Sequence, residues 1–264
     1  MSGADAPSCL PLIQIVTCAR SADLRLKSAL ELLRTLGPDI KVDVVHGFIA
    51  EDAVVDALYD SGANRRRTKR PLSRTEIAVY ASHRLAWRKL LEGGDAAALV
   101  LEDDFSLRDP ALVATIMRNT AAVLADGRDL VKLFDFGKRG HNPPAFTERA
   151  GDVELVKWRK PTAGMVAYLI SRKGAEKLLA RDRIFRQIDE DTKYFWELDL
   201  DIWSVPGNPV EEISDELGGS IVDAERESMK ARRILRSIWG NVVTADRKLR
   251  TRYHLAREQR RRKS

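Results

Sequence analysis

Three consecutive carboxylates, Glu102-Asp103-Asp104, directly follow the apolar run Ala96-Ala-Ala-Leu-Val-Leu101. A uniformly apolar segment of this kind is expected to be a strand covered on both faces. Its acids would then stand on a rigid rim at the carboxyl end of the sheet, where α/β folds bind nucleotides. Hard divalent cations take oxygen ligands, and Glu102 and Asp104 are the spaced pair that would hold Mg²⁺ or Mn²⁺. A cation there would bridge a nucleotide diphosphate and stabilise its charge as it departs. The plain alternative is a solvated strand-to-loop turn in a chain that is 32% charged.

Asp199-Leu200-Asp201 and Asp189-Glu190-Asp191 repeat the acid-x-acid spacing, but neither clearly follows a long buried strand. They suit a different task. An inverting displacement needs a carboxylate across the pocket to take the proton of the attacking hydroxyl, and Asp189 is the candidate, with Asp191 its rival. Glu76, Tyr80, His83 and Trp87 are spaced i, i+4, i+7, i+11 and share one helix face. Glu76 and His83 would point together at a ligand, unless His83 is simply hydrogen-bonded in or beside the core.

The elements that must position these groups alternate between strand and helix. Leu10 to Val16 reads as a first strand, and Ser21 as the cap of a helix carrying Leu26, Leu30, Leu33 and Leu36 as far as Gly37-Pro38. Ile40, Val42, Val44 and Val45 follow as a second strand. Asp60 to Pro71, with the run Arg65-Arg66-Arg67-Thr68-Lys69-Arg70, has no periodicity and reads as a mobile loop. A helix from Ser73 or Thr75 to about Leu91 precedes the Ala96 strand. Pro110 to Leu124 reads as helix, Leu130 to Phe134 and Val166 to Ile170 as strands, and Ser171 to Leu179 as helix. The fold class expected is α/β, with a mostly parallel central sheet flanked by helices.

At 264 residues with 44% hydrophobic content and no apolar run near 18 residues, one large domain is expected and a membrane span is not. The amino terminus lacks a basic, apolar leader, and Cys9 and Cys18 make no disulfide framework, so the cytoplasm is the expected compartment. The net charge of +6 is unevenly placed. From Arg226 to Ser264 there are 14 Lys or Arg against 3 acids, leaving 31 basic and 36 acidic residues before it. An acidic body carries a basic tail, whose Ile234, Leu235, Ile238, Trp239, Val242 and Val243 recur at helical spacing. That tail either docks on the body or lies on the anionic inner face of the cytoplasmic membrane. Nucleic-acid binding ranks below both.

Leu72-Ser-Arg-Thr-Glu76-Ile77-Ala-Val-Tyr-Ala-Ser82-His83, followed at the proper interval by Leu101-Glu102-Asp103-Asp104, resembles the paired signature of glycosyltransferase family 25. Arg20-Ser21 and Arg25, Gly164 to Ser171 with Gly174-Ala175, and Ile188-Asp189 fall in the same order. The resemblance spans roughly residues 10 to 222, giving a catalytic domain over 1–222 and a basic helical tail over 223–264. This sequence departs from the family pattern at Thr17-Cys18, His46, Thr75, Met165-Val166 and Gln187.

The resemblance implies a GT-A-like nucleotide-sugar fold and inverting transfer of a hexose, most simply galactose. The sugar donor would be a UDP-sugar with a divalent metal, and the acceptor a saccharide of a cell-envelope glycolipid or polysaccharide. It makes Asp104 the metal ligand and Glu102 a second ligand or ribose contact. Arg20, Arg25, Glu76, His83, Glu102 and Asp103 would then be contacts to the nucleotide sugar. Asp189 or Asp191 would be the base, and Trp196 would stack on an acceptor sugar. Specificity is expected from the segments Asn64 to Arg70 and His141 to Phe146. The competing reading is a catalytically degenerate UDP-sugar-binding or membrane-surface protein acting through its tail.

Overall fold

A computed structural model describes residues 10–137, 142–214 and 236–262, without the side chains of 236–239. The elements are β1 (Leu12–Thr17), α1 (Asp23–Arg34), β2 (Val42–His46), α2 (Ala53–Leu58), α3 (Ser61–Arg67), α4 (Arg74–Glu92), β3 (Ala97–Glu102) and β4 (Phe105–Leu107). Next come α5 (Pro110–Arg118), α6 (Thr120–Val123), β5 (Leu130–Lys132), β6 (Pro144–Ala150), β7 (Val153–Trp158), β8 (Ala167–Ser171) and α7 (Arg172–Leu179). The chain continues through α8 (Ile188–Asp191), a 3₁₀ helix (Thr192–Glu197), β9 (Ile202–Ser204) and β10 (Val210–Glu212) to a long helix, α9 (Arg236–Arg261).

Eight strands form one sheet in the order β2-β1-β3-β8-β5-β9-β7-β6, and β4 pairs with β10 beside it. Six of the eight run in one direction; β8 and β7 run against them. The sheet is thus mostly parallel in strand direction and mixed in its pairings. Sequence pattern does not encode that reversal, since an apolar run reads the same in either direction.

Side chains alternate across the sheet, as strand geometry requires. Ile13, Ile15, Leu99, Leu101, Val131, Ala167 and Leu169 face one core with Ala29 and Leu33 of α1 and Val113, Ile116 and Met117 of α5. Val16, Ala98, Val100, Leu130, Tyr168 and Ile170 face a second core with α2, α4 and α7. Both faces of β1, β3 and β8 are therefore buried, which is why their sequences are mostly apolar; the exception in mid-strand, Gln14 of β1, is buried with its Nε2 donating to the Ala86 carbonyl oxygen at 3.0 Å.

Several sequence expectations change. The Asp60–Pro71 segment contains α3, because Asp60 caps it by accepting from the Ala63 amide at 2.7 Å, a local signal hidden among the arginines. Helix α1 begins at Asp23 with Ala22 at its cap position, so Ser21 does not cap it. The Pro110–Leu124 helix breaks at Asn119, which lies outside helical angles. Helix α4 starts as expected at Ser73, in a capping box with Glu76. The boundary placed between residues 222 and 223 lies outside the described residues.

Candidate active site

Strands β1, β2 and β3 end together at Thr17, His46 and Glu102. A cleft opens over their carboxyl ends, between α1 and α4. It is lined by Thr17, Arg20, Arg25, Ser82, His83 and the Glu102–Asp104 triplet, with Glu212 arriving from β10. The enclosed part holds about 130 Å³, less than the 300–1,000 Å³ of typical ligand pockets, so a nucleotide-sized ligand would extend through its mouth.

Gly47 is what lets the end of β2 approach α4. A Cβ there would stand 2.2 Å from Ser82 Oγ and 3.2 Å from the Thr17 carbonyl oxygen. The next amide, Phe48 N, donates to Ser82 Oγ at 2.8 Å.

Asp103 turns inward: Thr17 Oγ1 donates to its Oδ2 at 2.5 Å and Arg25 Nη1 lies 3.8 Å from Oδ1, tying β1, α1 and β3 together. Arg25 Nη1 also donates to Asp104 Oδ2 at 3.1 Å. The other oxygen of Asp104, Oδ1, is buried and has no hydrogen-bond partner among the described residues. A buried carboxylate oxygen left unpaired is costly, and burial, then the neighbouring Glu102 and Asp103 charges, push the Asp104 carboxyl up to about 7.

Glu102 is held from beneath by a chain of aromatic and imidazole groups. Trp87 Nε1 donates to the Tyr168 hydroxyl at 2.8 Å. The hydroxyl lies 2.9 Å from His83 Nδ1, and His83 Nε2 lies 3.1 Å from Glu102 Oε1. Burial drives His83 down to about 4, so the ring is neutral near pH 7. The chain is satisfied throughout if Tyr168 donates to Nδ1 and the Nε2 proton points at Glu102. Burial first, then the charges of Asp189, Glu212 and Asp103, raise the Glu102 carboxyl to about 8.

Asp189 does not line the cleft but acts on it through its charge. Its Oδ1 accepts from the Gly164 amide at 2.8 Å, and its charge reaches both Glu102 and His83. Gly164 sits at φ +127°, where a Cβ would lie 2.5 Å from the Phe134 carbonyl oxygen. A left-handed, crowded position of this kind is one only glycine fills without strain.

Sequence profiles place this arrangement. The profile of glycosyltransferase family 25 (LPS biosynthesis protein) matches residues 40–192, more than half the chain, including α4, the acidic triplet and Asp189. The chain belongs to glycosyltransferase family 25. Its chemistry is therefore sugar transfer. None of the curated proteins matches it. Among solved structures, it is similar to glucosyl-3-phosphoglycerate synthase from Mycobacterium tuberculosis in complex with Mn²⁺, UDP-glucose and phosphoglyceric acid. The likeness covers 90% of this chain and 80% of that one at 16% identity, with a TM-score of 0.37.

The cleft of this family 25 chain brings together the candidates Arg20, Arg25, His83, Glu102, Asp103 and Asp104, while Glu76, Asp189 and Asp191 lie outside its lining. Glu76 does not line it. Its side chain closes the capping box with Ser73, accepts a bidentate ion pair from Arg70 and meets Gln187, so it secures the start of α4. Asp191 is buried and fully engaged: Tyr80 Oη donates to it at 2.7 Å, and Arg181 Nε and Arg186 Nη1 lie at 2.6 and 3.0 Å. Both of its oxygens are committed to these three side chains, and it does not line the cleft. Trp196 is stacked on His254 of α9, centroids 5.4 Å apart and planes within 5°, a packing role. Asp201 binds Lys157 and Trp203 Nε1, away from the cleft.

Sequence reasoning missed Glu212, Thr17 and Ser82. The Glu211-Glu212 pair was a visible acidic signal, but only the pairing of β10 with β4, with Glu212 opposite Phe105, carries it to the triplet.

Proposed function

We propose that this family 25 chain is an inverting hexosyltransferase. It would take its sugar, most simply galactose, from a UDP-sugar and deliver it to a saccharide of a cell-envelope glycolipid or polysaccharide. The observation that carries this reading is the unpartnered, buried Oδ1 of Asp104 beside Glu102 at the carboxyl end of β3.

Those two carboxylates fit a divalent cation. No group of three or more His, Cys, Asp or Glu is spaced to hold a metal among the described residues. Magnesium-type sites nonetheless commonly use only one or two carboxylates, with substrate phosphates and water completing the shell. When bound, the cation would neutralise charge on the departing diphosphate. Both carboxyls titrate far above their ordinary values, as expected of an acidic cluster built for a positive partner.

The remaining roles fall to the chain's own side chains. Arg20, half exposed and paired with Glu51, would meet phosphate oxygens, while Arg25 holds Asp103 and Asp104 in position. His83 orients Glu102 through its Nε2 proton. Asp189 would receive the proton of the acceptor hydroxyl as that oxygen bonds to the anomeric carbon and the bond from that carbon to the phosphate oxygen breaks. Its hydrogen bond from Gly164 holds the carboxylate where its charge still acts on Glu102.

The tail docks on the body. Leu255 and Thr251 are buried, Lys157 Nζ lies 2.6 Å from Glu258, and Arg262 reaches Glu148. Its outward side still exposes Val242, Leu249 and Tyr253 among Arg250, Arg252 and Arg257. That combination suits peripheral contact with an anionic membrane surface, where a glycolipid acceptor would reside. No helix among the described residues is long and apolar enough to cross a membrane. Ile234 and Leu235, and the side chains of Ile238 and Trp239, lie outside the described residues.

Release of UDP from a panel of UDP-sugars, with and without Mn²⁺, tests the reading. Turnover of at least one sugar that depends on metal and on Asp104 supports it, and silence across the panel refutes it.

A further inference from the structure

A second, larger cavity of about 480 Å³ lies on the other side of α8, between the segment 67–72, the 3₁₀ helix and α9. The two have no lining residue in common but adjoin along one segment: Leu72, just before α4, lines the cavity, while Thr75 and Val79 of α4 line the cleft. On α8, Asp189 acts on the cleft and Glu190 lines the cavity. Five cationic side chains, Arg67, Lys69, Arg70, Arg186 and Arg247, face it against the single carboxylate of Glu190.

Most of these cations are already engaged, and what is left over decides the chemistry. Arg70 is held by Glu76, while Arg67 and Arg186 share Glu197 with Arg181. Arg181 and Arg186 also share Asp191. Lys193 and Arg247 share Glu190, Arg247 at a loose 3.6 Å. Lys69 has no ion pair among the described residues. This network holds seven cations (Arg67, Lys69, Arg70, Arg181, Arg186, Lys193, Arg247) and four carboxylates (Glu76, Glu190, Asp191, Glu197), a surplus of three positive charges. Although burial alone would raise the Glu190 carboxyl, Lys193, Arg247 and Lys69 hold it below the usual range.

We propose that this cavity is an oxyanion subsite in which Lys69 and Arg247 hold a phosphate or carboxylate carried by the saccharide acceptor. The proposal rests on the glycosyltransferase reading for the word acceptor, and on the cavity alone for the anion. A charged acceptor would be anchored beside Glu190, the residue next to Asp189 on α8, with Tyr194 and the amino-terminal half of α9 closing the pocket. A role for the docked tail follows: α9 supplies one of the two available cations, Arg247.

Ligand-observed NMR titration of the full chain in EDTA tests this, with glucose 1-phosphate, glucuronate and neutral glucose as probes. EDTA removes any metal-bridged binding in the cleft, and because Arg20 and Arg25 there also attract anions, loss of binding in the Lys69 and Arg247 variants, rather than binding alone, assigns the site to the cavity. Wild-type protein should bind at least one charged sugar at least about tenfold more tightly than glucose. Preference for glucose 1-phosphate or for glucuronate identifies the oxyanion. The Lys69→Met/Arg247→Met double variant should lose that preference, and Lys69→Met alone, which breaks no ion pair, should move it in the same direction with unchanged thermal stability. Equal binding of glucose and the charged sugars, or unchanged affinities in both variants, would overturn the proposal. Failure of the transferase reading would appear separately, as absence of UDP release with metal present.

Discussion

Asp104→Asn should inactivate the enzyme and at the same time stabilise its metal-free form. The Asp104 carboxyl titrates near 7 in the folded chain because it is buried beside Glu102 and Asp103, with Arg25 only partly offsetting them. Its unfolded value is about 3.9. A folded pKa raised above the unfolded one means that the folded state holds the proton more tightly. The associated stability is complete below about pH 4 and is lost as pH rises to about 7. About three units at roughly 1.4 kcal/mol each give a loss of at most about 4 kcal/mol at pH 8. Asparagine fills the same space without the charge and escapes that loss. At roughly 2–4 °C per kcal/mol for a chain of this size, the variant should melt about 5–15 °C above wild type in EDTA at pH 8, and the gap should close near pH 4. Thermal melts by circular dichroism at the two pH values measure it, and Mn²⁺ should raise the wild-type melting temperature while leaving the variant nearly unmoved. A variant that melts below wild type at pH 8, or a gap independent of pH, would refute the electrostatic account of the cleft.

The relocated acids make contrasting predictions. Glu76→Ala should destabilise by about 2–3 kcal/mol, through loss of the cap and an unpaired Arg70, with kcat of the folded protein within a few-fold of wild type. Asp191→Asn should cost about 3–5 kcal/mol because Arg181 and Arg186 lose their buried counter-charge. Asp189→Asn, whose amide oxygen can still accept from Gly164, should fold normally and lose at least about a hundredfold in transfer rate. For the tail, co-sedimentation with vesicles rich in phosphatidylserine should fall several-fold in Leu249→Ser/Tyr253→Ser; equal sedimentation removes the membrane role.

The parts legible in the sequence are those where local pattern and global structure agree. The Ala96–Leu101 run could hardly be anything but a doubly covered strand, so the acids after it had to lie at the sheet rim. Ser73 and Glu76 announce the start of α4, yet the same pattern reads equally as a ligand contact, because a capping carboxylate and a substrate-facing one look alike until Arg70 is placed beside it. Asp189 and Asp191 sit two residues apart in one short helix and end up facing different neighbours, Gly164 and the Arg181–Arg186 pair; only tertiary packing separates them. Glu212 and Arg247 were out of reach for the same reason, since each joins its site through contacts more than 50 residues away. The reversed strands β7 and β8 were equally hidden, because direction within a sheet leaves no trace in the composition of a buried strand.

We propose that Asp104 and Glu102 form the metal-dependent heart of a UDP-sugar transferase. UDP release by the purified full chain from a panel of UDP-sugars, with Mn²⁺ or EDTA and with Asp104→Asn alongside, tests it most directly. The account predicts turnover of at least one sugar with Mn²⁺, little in EDTA, and a loss of at least about a hundredfold in the variant. Turnover that persists in EDTA, or an Asp104→Asn protein as active as wild type, would contradict it.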